Sequence, residues 1–288
     1  MVGNLGLNYK YQALKSEPFG IYTKDFDENG RAIPNLPDYI SPDGLFALYI
    51  ASPDGVVNED NFTSLNSQGE AYRNVLAQLF ADVEKLLIEN GAASTEPVKF
   101  EIRSFSSAAD LLGAASSYYD TTGFPDGSVI EGNVWKAINS GTNQPNDWDG
   151  YIRINFNHNW FTNFNNPNSI GSEVDLYGVL LHELMHALGF ASGIDVNGDP
   201  KLGFYHTFDT LLKTESGTDV IVNNGSVWNF NPALNTSLLI SGCESAITGI
   251  RIGSADFSIY APQSFLPGTS LSHIDLNDDC LISSNEYC

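Results

Sequence analysis

Basic residues are scarce in this 288-residue chain: 13 Lys and Arg stand against 35 Asp and Glu, a formal net charge of -22. Such a chain repels polyanions, which excludes nucleic acid as a partner and disfavours anionic lipid surfaces. Cysteine is sparser still. Cys243, Cys280 and Cys288 are too few for a disulfide framework, and their spacing does not suit a four-thiolate zinc site. Methionine occurs only at Met1 and Met185. No apolar run is long enough to span a membrane, and the opening Met1-Val2-Gly3-Asn4-Leu5-Gly6 lacks the charged start and apolar stretch of a secretory signal. The expectation is a secreted protein in mature form, carrying an added Met1. Internal repeats and low-complexity blocks are also missing.

What is present is a hydrophobic fraction of 42% with 12% aromatic residues, enough for one sizeable core or two modest ones. The first forty or so residues, rich in Pro, Gly, Asn and Asp, read as an extended wrap. An apolar run at 45–51, bounded by Pro-Asp-Gly on both sides, predicts a buried strand. Over 67–90 the positions Tyr72, Val75, Leu76, Leu79, Phe80, Val83, Leu86 and Leu87 recur at helical spacing, and the helix should stop at Gly91. Residues 98–105 and 151–157 alternate as half-buried strands. A second helix starts near Ser172, runs through Val179, Leu180, Leu184, Met185 and Leu188, and stops at Gly189. Beyond 192 the text turns to short apolar runs among Ser, Asn and Gly. The expected class is α+β: an α/β-type N-terminal subdomain over 1–191 and an irregular C-terminal subdomain over 192–288, together one catalytic domain.

The second helix carries the chemistry. Four residues along a helix advance about 6 Å and return near the same face, so His182 and His186 can aim two imidazoles at one metal. Glu183, about 100° further round, reaches a water at the metal instead of the metal itself. Catalytic zinc takes three protein ligands and leaves one position open for water, which a carboxylate can deprotonate. The bland alternative is a core helix whose histidines are satisfied by hydrogen bonds. With only five histidines in the chain, chance placement of this pattern is rare.

The segment His182-Glu183-Leu184-Met185-His186-Ala187-Leu188-Gly189-Phe190-Ala191-Ser192 resembles the metzincin pattern H-E-x-x-H-x-x-G-x-x-H. Ser192 stands where the third histidine belongs, and a hydroxyl is a poor zinc ligand. Within metzincins the segment is most similar to the leishmanolysin-like branch, in which the third histidine lies downstream in a Ser-His motif after a Gly/Ser-rich stretch. Here that motif is Gly268-Thr269-Ser270-Leu271-Ser272-His273. The resemblance covers about half the chain and extends weakly to Phe204–Asp209 and to Tyr260-Ala261-Pro262. It implies a zinc endopeptidase acting on peptide or protein, with His182, His186 and His273 as ligands, Glu183 as general base, and an extended substrate lying antiparallel to an exposed strand edge. His206 is the rival third ligand, Glu215 and Glu244 are carboxylate candidates, and His158 reads as a loop residue. No methionine follows His273 in this sequence, so the family's methionine turn is expected either to be replaced by Ile282 as the apolar floor or to lie beyond Cys288. The same tail has the calcium-loop spacing Asp275-x-Asn277-x-Asp279, and Asp195-Val196-Asn197-Gly198-Asp199 is a second oxygen-rich loop, so calcium is a further candidate cofactor. The rival function is a non-catalytic, metal-stabilised binding or adhesion module derived from a peptidase.

Overall fold

A computed structural model describes residues 37–51, 61–62, 67–108, 111–141, 148–163, 169–225, 227–240, 247–252, 255–259 and 271–272. His273, Glu244, Ile282, the acidic tail and all three cysteines lie outside the described residues. In chain order the helices and strands are β1 (Tyr39–Ile40), β2 (Phe46–Ala51), α1 (Ser67–Glu89), β3 (Val98–Phe105), β4 (Gly113–Ser117), β5 (Ser128–Ile130), α2 (Asn133–Ser140), β6 (Gly150–Asn155), β7 (Trp160–Phe161), β8 (Val174–Asp175), α3 (Leu176–Ala187), β9 (Phe204–His206), β10 (Lys213–Thr214), β11 (Ile221–Asn223), β12 (Trp228–Phe230), β13 (Ile247–Ile252) and β14 (Ala255–Ser258). Mixed helix and strand in this order is an α+β arrangement.

Two compact units result: Met1–Tyr118 with Asn133–Leu184 and Tyr287–Cys288, and Tyr119–Gly132 with Met185–Glu286. The division falls inside α3, and a short upstream segment joins the second unit through β5, which pairs in parallel with β9.

In the first unit, β1-β2-β3-β6-β4 form a mixed five-stranded sheet. β2, β3 and β6 run parallel, while β1 and β4 pair antiparallel at the two ends. Its register places Phe46, Leu48, Ile50, Phe100, Ile102, Ile152 and Ile154 on one face, all wholly buried. The apolar stripe of α1 meets this face, with Phe80 packed edge-on against Phe46 and Phe100 at 5.2 and 5.3 Å between ring centres. β3 is the middle strand, and both of its faces are covered, so it is not the half-buried strand its alternation suggested. Glu101 is only 1% exposed, paired with Arg103 and close to the Tyr118 hydroxyl.

Both long helices end on the same device. In α1 the Gly91 N–H donates to the Ile88 carbonyl and the Ala92 N–H to the Leu87 carbonyl, with Gly91 at φ +93. These are the two bonds of a Schellman cap, and a left-handed residue is needed to make them. The last turn of α1 departs from the sequence reading, because Leu86 is 60% exposed and the buried position nearby is Glu84. The Glu84 carboxylate accepts the Ser41 hydroxyl at 2.5 Å and the N–H groups of Asp43 and Leu45 at 2.8 and 2.7 Å, closing the turn before β2. Replacing Glu84 with alanine leaves these donors without their acceptor, so urea denaturation should show a loss of about 3 kcal/mol of stability.

The second unit is built from short strands and single 3-10 turns. Its core gathers Ile194, Tyr205, Phe208, Leu212, Val220, Ile221, Leu239, Ile259 and Leu271. Two-residue and three-residue strands cannot hold themselves together, so this cluster supplies the cohesion.

Candidate metal centre

α3 begins later than the sequence reading placed it. Asp175 caps it, its carboxylate accepting the N–H groups of Tyr177 and Gly178 at 3.2 Å each, so the first helical residue is Leu176. Tyr177 then fastens the helix sideways by donating its hydroxyl to Asp82 of α1 at 2.8 Å. Leu176, Leu180, Leu184 and Ala187 form the wholly buried stripe. Met185, read as part of that stripe, is instead 42% exposed, as is Leu181 one turn before it to a lesser degree.

Glu183 lies on the buried side, 6% exposed. It is tight against the sheet: a Cβ added to Gly113, the first residue of β4, would stand 3.0 Å from the Glu183 Cγ and 3.1 Å from its Oε1. Only a residue without a side chain lets the carboxylate come so close to the strand. Burial raises the pKa of Glu183 from 4.5 to about 7, and the Arg153 guanidinium pulls it partly back. The folded value lies above the unfolded one, so the stabilising contribution of the neutral acid is complete below pH 4.5 and is lost as pH rises through 7. In chelator-treated protein, Glu183→Gln should therefore match the wild type in urea denaturation at pH 4 and exceed it by about 3 kcal/mol at pH 8.

His182 and His186 stand half-buried on the adjoining face. At the end of α3 the Gly189 N–H donates to the His186 carbonyl and the Phe190 N–H to the Met185 carbonyl, both at 3.0 Å, with Gly189 at φ +107. This repeats the cap of α1, and it places Gly189 where the sequence put the stop. The turn also brings the Phe190 carbonyl to 2.8 Å from His186 Nδ1. A carbonyl only accepts, so Nδ1 carries a proton, and in the neutral ring Nε2 would hold the lone pair. A ring held by an Nδ1–H bond to a backbone carbonyl is oriented as metal-ligating histidines are, and two imidazoles are donors of the type zinc takes.

The other candidates fall elsewhere. His206 stacks on Tyr119, with ring centres 4.5 Å apart, and its Nδ1 donates to the Ala191 carbonyl at 2.9 Å. Its burial lowers its pKa, partly opposed by Asp209. His158 sits edge-on to Trp160 before β7. Among the described residues no group of three His, Cys, Asp or Glu side chains that could hold a metal ion is found. Asp195 forms a turn, its Oδ1 accepting the N–H groups of Asn197 and Asp199 at 2.8 and 2.9 Å.

Sequence reasoning took Ser192 only for the place of a missing ligand and gave Asp209 no role. Asp209 is completely buried, and its carboxylate accepts the Ser192 hydroxyl at 2.6 Å, the Gly193 N–H at 3.0 Å and the His206 N–H at 2.7 Å. Burial pushes its pKa up, and His206 and these donors hold it down. The only signal in the text was a Ser-Gly pair shortly after a helix stop. No family model, curated protein or solved structure matches the chain.

Proposed function

We propose that this protein is a secreted, metzincin-like zinc endopeptidase in which His182, His186 and His273 hold the metal and Glu183 is the general base. The observation that carries the reading is the pairing on one helix of an imidazole whose Nδ1 proton is already committed to Phe190 with a buried carboxylate of raised proton affinity. A bound zinc ion would polarise the scissile carbonyl and acidify water. Glu183 takes the proton of the attacking water and returns it to the leaving amine; a pKa near neutrality suits both transfers. The helix end keeps the His186 ring oriented, and the burial of Glu183 against β4 limits water at the carboxylate.

Ser272, which precedes His273 in the sequence, has its hydroxyl 3.0 Å from the Ser192 N–H, a few residues after His186. That tether favours His273 over His206 as the third ligand. β4 is the edge at which we place the substrate: among the described residues it is an end strand paired only with β6, and its first residue touches Glu183. An extended peptide added to it would draw on the backbone groups of Gly113, Ala114 and Ala115.

Metal removal tests this. Zinc should co-purify with the protein, a chelator should abolish casein cleavage, and added zinc should restore it. Bound zinc with no cleavage under any of these conditions would favour the non-catalytic binding module instead.

A further inference from the structure

Ser192 occupies the position that the metzincin pattern gives to a ligand, and its hydrogen bonds show another use for it. Its N–H donates to Ser272 Oγ at 3.0 Å, its hydroxyl donates to Asp209 Oδ1 at 2.6 Å, and its Oγ accepts the Ile194 N–H at 3.1 Å. Gly193 closes the same knot, with a Cβ there standing 3.2 Å from Asp209 Oδ2 and 3.1 Å from His206 Cδ2. Ser192, Asp209 and Ser272 are all buried, so these bonds do not compete with bulk water.

A second, independent feature lies beside Ser272. Leu271 is the one non-glycine residue with positive φ among the described residues, at 64°, and its side chain is wholly buried in the core of the second unit. A leucine in the left-handed region is strained, because its Cβ crowds the following carbonyl oxygen. Such a conformation persists only where the surroundings over-determine it. Here the buried side chain on one side and the Ser192–Ser272 bond on the other do so.

We infer that Ser192, Asp209 and Ser272 are positioning residues of the zinc centre: a buried clamp that fixes the segment leading into His273 against the turn that follows His186. The inference rests on the zinc peptidase reading. It explains why a serine can replace a histidine three residues past Gly189: the residue there no longer holds the metal but anchors Ser272, which precedes His273 in the sequence. Ser192 cannot do this alone, because its hydroxyl is oriented by Asp209.

The test is zinc affinity, measured by competition with a chromophoric chelator in the full chain. Ser272→Ala removes the acceptor of the Ser192 N–H and should weaken zinc about 10- to 100-fold, the usual effect of losing an outer partner of a metal ligand. Ser272→Thr keeps that oxygen and should restore most of the affinity, with every variant measured well below its own zinc-free melting temperature. Asp209→Asn, read in the same way, should also weaken zinc and serves if Ser272→Ala does not fold. Wild-type affinity in Ser272→Ala and Asp209→Asn overturns the clamp and leaves the peptidase reading standing. So does a loss that Ser272→Thr fails to recover and that follows the zinc-free melting temperature. Zinc binding that is absent in the wild type, or unchanged by His182→Ala, overturns the peptidase reading itself.

Discussion

Glu183→Ala is expected to keep its zinc and to lose casein cleavage by about 100- to 10,000-fold in kcat/KM, the range that a positioned acid–base group contributes. Glu183 is one residue from His182, yet it points to the buried side of α3, against Gly113, and its carboxylate is raised to about pH 7 by that burial. A group so placed is poorly suited to be a ligand and well suited to exchange a proton near neutrality. The matched measurement is zinc per chain beside the rate: zinc near one equivalent with a collapsed rate separates a base from a ligand. Equal rates in the variant and the wild type would remove Glu183 from the chemistry. Glu183→Gln should behave like the alanine variant in rate, because an amide of the same shape cannot accept the proton.

His186→Ala should lose both zinc and cleavage. Its effect on affinity is expected to exceed the 10- to 100-fold typical of an outer partner, since a donor atom itself is removed. The Nδ1 bond to the Phe190 carbonyl makes the outcome sharper, because it commits Nδ1 and leaves Nε2 as the nitrogen that could bind metal. Zinc should raise the melting temperature of the wild type through binding to the folded state alone, and that rise should vanish in His186→Ala. A variant that still gains stability from zinc as the wild type does would show that His186 is not a ligand.

The parts of the fold and site that could be read in the sequence share a physical cause. α1, β3, β6 and the end of α3 are written in local periodicity and in glycines that must take positive φ, as Gly91 and Gly189 do. His182, Glu183 and His186 are legible because one helix turn sets their spacing whatever surrounds it. Other features depend on partners far away in sequence. Glu84 looked like a surface residue between Val83 and Lys85, and only Ser41, Asp43 and Leu45 make it a buried acceptor. Leu86 and Met185 fit an apolar stripe by spacing, yet both are exposed. β4, spelled Gly-Ala-Ala-Ser-Ser, has no apolar alternation to announce it and becomes a strand by pairing with β6. Ser192 was legible only as a missing ligand; its bonds to Asp209 and Ser272 belong to tertiary structure.

The cap that ends α3 also sets a clock. Last turns of helices ordinarily fray, and a side chain carried there would leave and return with each opening. Three bonds close this turn, two of them through His186: its carbonyl takes the Gly189 N–H, its ring donates to the Phe190 carbonyl, and the Phe190 N–H returns to the Met185 carbonyl. Unwinding this turn breaks all three together, so its opening is a single cooperative event and not a gradual loosening. The lifetime of a bound ion would then be governed by how seldom that event occurs, and slow hydrogen exchange at the amides of Gly189 and Phe190 is where its rate can be read.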